Sequence, residues 1–174
     1  TVSAKITGKV SEVLIEEGQR VEAGEILARL EPTDAQAQRA FAQAQLSASR
    51  SQVAQVQAQL KLAEQTLARQ RDLAARKLVA QSMLDQAQAE HDSLRAQLAS
   101  AQRNVGVADA SLHLSDIGVD NTVIRAPFAG VITVKAAQPG EIVSPMSAGG
   151  GFTRTGIGTV VDMDSLEVQV DVNE

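Results

Sequence analysis

Between residues 33 and 117 the apolar positions recur every seven residues. Leu46, Val53, Leu60, Leu67 and Ala74 form one row, and Ser49, Val56, Ala63 and Gln70 stand three places after the first four. After a short break the pattern resumes, with Leu84, His91, Leu98, Val105 and Leu112 in one row and Ala87, Leu94, Ala101 and Ala108 in the other. A seven-residue period held over four or more heptads keeps one narrow seam toward a partner helix, whereas a helix on a globular core shows a wider stripe. No proline interrupts either run. The connecting stretch, Ala75 to Met83, is too short for a parallel return, so the pattern predicts an antiparallel coiled-coil hairpin. Arms of roughly 40 residues would each be about 60 Å long.

On both sides of this hairpin the period drops to two. Val2, Ala4 and Ile6 alternate, Gly8 interrupts, Val10 to Ile15 resumes, and after Gly18 a further apolar stretch runs from Val21 to Pro32. Pro32 stops the strand, and Thr33-Asp34-Ala35-Gln36 has the spacing of a capping box, with the Thr33 hydroxyl on the Gln36 amide. Gly118 is placed to end the second arm, and Thr122 to Val134 again reads as strand. A repeat links the flanks. Gly8-Lys9-Val10 and Gly130-Val131-Ile132 are each followed, ten residues after the first glycine, by Gly18 and Gly140, and three further on by Val21 and Val143. Two β-units of one pseudo-symmetric domain follow, since pairing the halves would close the open edges of each. Residues 144–158 read as a glycine-rich connector lacking the ending of a phosphate-binding loop. Leu166, Val168, Val170 and Val172 alternate with polar residues, as a strand opening a further β domain would.

Composition narrows the chemistry. A hydrophobic content of 44% excludes a disordered chain, while the apolar runs fall far short of the roughly 20 residues that span a bilayer. Thr1 to Ile6 shows no leader pattern, so the chain reads as a trimmed mature piece. A net charge of −5, no Trp or Tyr and three Phe argue against nucleic acid as a partner. Without cysteine there are no disulfides, thiol nucleophiles or zinc–thiolate sites. His91 and His113 both fall within the helical pattern with no second ligand converging on them, and Glu16, Glu17, Glu22 and Glu25 read as a solvated face. Neither catalysis, a metal nor a cofactor is expected.

Taken together, these elements resemble the membrane fusion proteins, the periplasmic adaptor subunits of Gram-negative tripartite efflux pumps. The carrying strings are Gly8 to Glu31, the Pro32-Thr33-Asp34 step into the hairpin, and the return through Ile124-Arg125-Ala126-Pro127-Phe128-Ala129-Gly130 with Pro139-Gly140-Glu141 downstream. The resemblance implies an α+β fold: a long antiparallel coiled-coil α-hairpin (33–117) inserted between the two halves of a biotinyl/lipoyl-like β-sandwich (1–32 and 118–163), followed by the start of a β-barrel domain (164–174), with Gly158 onward resembling the way into that barrel. It also implies a non-enzymatic adaptor in the periplasm, anchored at the inner membrane in the full-length protein. Its partners would be a proton-driven or ATP-driven inner-membrane transporter, an outer-membrane channel and further copies of itself, as a hexamer or a trimer of dimers.

At the hairpin tip such adaptors carry an Arg, a Leu four residues on and a Ser seven beyond that. Aligning on Asp85-Gln86-Ala87 puts Arg69 and Leu73 in register and Ala80 where the serine is expected, with Ser82 two positions later. With the basic Arg76 and Lys77, these are the residues expected to dock the channel. Two alternatives stand beside this reading. Adaptors of type I protein secretion are similar but tend to have longer hairpins. Biotin or lipoate carriers need a lysine where this chain has Ala35.

Overall fold

The structure, a computed structural model, describes residues 1–145 and 153–163. The chain divides into a β-unit, Thr1–Ala37 with Asp116–Glu174, and a helical unit, Gln38–Ser115.

In the β-unit the strands are β1 Gly8–Val13, β2 Arg20–Val21, β3 Ile26–Leu30, β4 Val123–Arg125, β5 Gly130–Lys135, β6 Ile142–Val143, β7 Thr153–Arg154 and β8 Gly158–Val161. They form two sheets, ordered β4-β3-β1-β6-β7 and β2-β5-β8. Residue n of the first half corresponds to residue n + 122 of the second, as Gly8 does to Gly130, and the hydrogen bonds obey this relation. Val10 N donates to Glu141 O at 2.8 Å and Ile132 N to Gln19 O at 2.9 Å; Gly140 N donates to Val10 O and Gly18 N to Ile132 O, both at 2.8 Å. Gly18 and Gly140 hold φ of 84° and 93°, a left-handed turn that a side chain would strain. Each half thus lends its short second strand to the other half's sheet: β6 pairs β1 and β2 pairs β5, both antiparallel. Equivalent side chains share one core, Val10 and Ile132, Val21 and Val143, with Ile15, Leu27 and Ile157, each at most 1% exposed. Burying a side chain of this size contributes about 1.5–3 kcal/mol.

The helices are α1 Thr33–Ala75 and α2 Gln81–Asp120. Within the helical unit the heptad rows are the shielded positions. Leu46, Val56, Ala63, Leu67, Leu94, Ala101 and Ala108 are buried, and the other row members are half-buried, His91 among them. The arms run antiparallel: Arg50 meets Asp109 at 3.9 Å and Arg71 meets Gln88 at 2.6 Å, so 21 residues along α1 match 21 back along α2.

Three expectations are corrected. Helix α1 begins at Thr33 itself, because Gln36 N donates to Pro32 O at 2.8 Å, so Pro32 takes the capping position and gives up no amide there. Gly118 does not stop α2, which runs on to Asp120; Asn121 N donates to Ile117 O, and the Thr122 hydroxyl closes the end on Val119 O at 2.7 Å. A single interior glycine costs a helix only about 1 kcal/mol. Residues 158–161 belong to the sandwich, since β8 pairs β5 from Val161 opposite Val131 to Gly158 opposite Lys135. The alternation at 166–172 and residues 146–152 of the glycine-rich connector lie outside the described residues.

The pseudo-symmetry breaks at the first glycines, which yields a prediction. A Cβ on Gly130 would run into the Val161 carbonyl oxygen, whereas one on Gly8 would meet only the flexible Leu30 Cδ1 at 3.1 Å. Gly130→Ala should lower the stability of the β-unit by about 1–3 kcal/mol and Gly8→Ala by clearly less, read by chemical denaturation. Equal losses would contradict the β5–β8 pairing.

Candidate docking site at the hairpin turn

The connection between the arms is shorter than the heptads alone indicate. Helix α1 ends at Ala75 and α2 begins at Gln81. Lys77 N donates to Ala74 O and Leu78 N to Leu73 O, both at 2.9 Å, the paired bonds that close a helix on a left-handed residue. That residue is Lys77, with φ of 58°, the only non-glycine with positive φ among the described residues. Glycine or asparagine ordinarily sits here, and another side chain costs about 1–2 kcal/mol. Ala80 precedes α2 and accepts from Met83 N at 3.0 Å, so it holds the capping position without a side chain that can cap.

Each sequence-predicted site residue can now be placed. Arg69 is exposed on α1; Leu73, one turn later, is half-buried beside the seam. Arg76 and Lys77 form the turn, and Ser82 is exposed in the first turn of α2. The basic cluster is less uniform than its composition suggests. Arg76 grips Asp72 with two nitrogens, Nε at 3.2 Å and Nη2 at 3.0 Å, and Arg71 donates to Gln88 across the arms. No ion pair engages Arg69 or Lys77 among the described residues. The last turn of α1 holds no basic residue, so these charges lie before or beyond it. One exposed residue escaped the sequence reading: Leu78, 67% exposed at the apex, whose only signal was an apolar residue in a connector.

A polar chain lies behind the turn. Gln88 Nε2 donates to Asp92 Oδ2, and His91 Nδ1 meets Asp92 Oδ1, both at 2.9 Å. The Gln88 amide first, then the His91 ring, hold the Asp92 carboxyl below its ordinary range. Among the described residues no group of three His, Asp or Glu could hold a metal, and no helix is long and apolar enough to cross a membrane. Ala35 lies in the first turn of α1.

A family profile described as RND MFP, barrel-sandwich hybrid domain, matches residues 1–164. The chain belongs to the RND membrane fusion proteins. It is 32% identical over 174 residues to the macrolide export protein MacA of Yersinia pestis, covering 99% of this chain and 45% of that protein. Over 168 residues it is 27% identical to the multidrug resistance protein MdtA of Proteus mirabilis, covering 97% and 36%. The chain thus spans under half the length of these relatives. Among solved structures, MacA of Actinobacillus actinomycetemcomitans superposes with a TM-score of 0.84 at 21% identity, over 94% of this chain and 49% of that one. This membrane fusion protein therefore has the barrel-sandwich hybrid fold with an inserted helical hairpin.

Two predictions follow from the turn. Lys77→Gly relieves the left-handed residue and should stabilise the hairpin by about 1 kcal/mol in thermal unfolding followed by helical circular dichroism; a lowered melting temperature would contradict the turn geometry. For Asp92 the folded pKa is lowered, so its contribution to stability is present above the carboxyl's ordinary pKa and is lost as pH falls through the folded value. Gln88→Ala should move the Asp92 titration upward in a carboxyl-detected NMR experiment, and an unmoved titration would remove Gln88 as the cause.

Proposed function

We propose that the chain is the hairpin-bearing part of a non-enzymatic periplasmic adaptor, anchored at the inner membrane in the full-length protein, that bridges an inner-membrane transporter and an outer-membrane channel. Copies of it associate into a conduit, as a hexamer or a trimer of dimers, and dock the channel through the hairpin turn. The names of the relatives, macrolide export and multidrug resistance, point to drug-like small molecules as cargo.

The observation that carries the docking is the turn itself: Arg69 exposed with no ion pair among the described residues, Leu73 one turn on, and Leu78 bare at the apex. A guanidinium can bind a carboxylate or backbone carbonyls through two parallel bonds, and a neighbouring leucine excludes water from that contact. Lys77 adds an ammonium at the exposed left-handed position of the turn, whose two closing backbone bonds lower the ordering cost of binding. Ala80 stands where a serine is expected, so the hydroxyl contact of the family pattern is replaced here by the surrounding backbone and by Ser82 at the head of α2.

In the full-length protein, Arg69→Asp and Leu73→Glu should each abolish drug efflux and turn-specific crosslinking to the channel, with helical content and melting temperature nearly unchanged for Arg69→Asp. Full efflux from a folded Arg69→Asp protein would refute docking through this residue.

A further inference from the structure

The seam changes character before it reaches the turn. The buried apolar residues nearest the turn are Leu67 on α1 and Leu94 on α2. From residue 68 through the turn to residue 93 none is buried, and Ala74, Leu84 and Ala87 of the heptad rows are only half-buried. The boundary between the two stretches is polar. Gln70 and His91 occupy row positions there, and because Arg71 contacts Gln88 across the arms they stand at nearly one level. Gln70 Oε1 is buried without a hydrogen-bond partner among the described residues, a loss that an apolar side chain at this layer would not incur. The end of the hairpin beyond the layer, residues 71–90, therefore has little burial to hold its arms together. What crosses the arms here is a polar chain. Arg71 Nη2 donates to Gln88 Oε1 at 2.6 Å, Gln88 Nε2 donates to Asp92 Oδ2 at 2.9 Å, and Asp92 Oδ1 meets His91 Nδ1 at 2.9 Å.

We propose that Gln88 is a positioning residue for docking: it clasps α1 to α2 beyond the polar layer and so holds the docking residues of both arms in one arrangement, without itself meeting the partner. The proposal rests on the docking reading above and deepens it. Arg69 and Leu73 come from α1, Lys77 and Leu78 from the turn, and Ser82 from α2. Were the arms to open beyond Gln70 and His91, a partner would have to order this set as it bound; arms already clasped lower that cost. An amide suits the place. Its oxygen accepts from the guanidinium of one arm while its nitrogen donates to a carboxylate of the other, so both bonds involve a charged group and are of the stronger kind. An acid at position 88 would repel Asp92, and an alkyl chain would bond neither neighbour. Gln88 is half-buried, whereas Arg71 and Asp92 are exposed, so the amide is the shielded link of the chain. The Arg50–Asp109 contact lies on the far side of the polar layer and does not constrain this end.

The test compares local opening with docking in the full-length protein. Gln86→Ala, at an exposed position two residues away, makes the same gain in helix propensity and serves as the reference. Relative to it, Gln88→Ala should speed hydrogen exchange of the amides in 71–90 about three- to tenfold, with 42–67, 94–115 and the melting temperature unchanged. Turn-specific crosslinking to the channel should weaken by a similar factor. The chain has no cysteine, so Arg71→Cys with Gln88→Cys can be bridged across the arms by a short bis-maleimide. Bridged, this double variant should crosslink to the channel as the native turn does; unbridged, it should be as weak as Gln88→Ala. Unchanged exchange at 71–90 in Gln88→Ala, or faster exchange with undiminished crosslinking, would overturn the clasp while leaving docking standing. A bridged variant that stays weak would mean that the side chains at 71 and 88 meet the partner themselves, and would overturn the positioning role. Full docking by Arg69→Asp would instead count against the docking reading itself, whatever the exchange shows.

Discussion

Leu30 and Thr122 are 92 residues apart in sequence, yet the amide of one donates to the carbonyl of the other at 2.8 Å. Everything in the β-unit depends on that return. Closing a flexible loop of this length costs about 4 kcal/mol in chain entropy, and the two-residue strands β2 and β6 could not offset it alone. An antiparallel pair of helices removes the difficulty by leaving and returning at the same end. The halves then exchange their short strands, and a core of valine, leucine and isoleucine closes over hydrogen bonds repeated 122 residues apart. The insertion is tolerated because it is itself ordered.

That order has a cost at the turn. The seam is thin, with alanine at Ala63, Ala87, Ala101 and Ala108 and polar residues at Gln70 and His91, so its stability accumulates over length. At the seam, Gln70 Oε1 is buried without a hydrogen-bond partner among the described residues. At the apex a lysine takes a backbone conformation that glycine would adopt more cheaply. Local strain of this kind persists where the surroundings over-determine it, and here the two bonds to Leu73 and Ala74 do so. The result is a closed turn that leaves Lys77 and Leu78 exposed.

Charge is distributed with the same economy. Exposed pairs such as Arg76–Asp72 are worth only about 0.3–0.5 kcal/mol each, so the hairpin does not owe its stability to them. Their more consequential effect is on what each surface can meet. A side carrying charges must strip water from them to bury itself, whereas one of glutamine, serine and exposed leucine loses little. The unlike sides therefore fit unlike surroundings.

Much of this was legible in the residues before any coordinates. The heptad rows named the shielded positions of both arms, including His91, because helical periodicity is a local property and each residue's face follows from its number alone. The glycine repeat named the two halves, because left-handed turns at Gly18 and Gly140 need that residue type. The sequence left undecided where elements begin and end, and which strands pair. Pro32 rather than Thr33 caps α1, Gly118 is overridden by two more helical residues, and β8 joins the sandwich rather than the next domain. Nor could it assign the charges: Arg76 is paired, whereas no ion pair engages Arg69 among the described residues, although both read alike. Each of these outcomes turns on a partner far away in sequence or on the exact rotation of a side chain, and such energies exist only once the chain has folded.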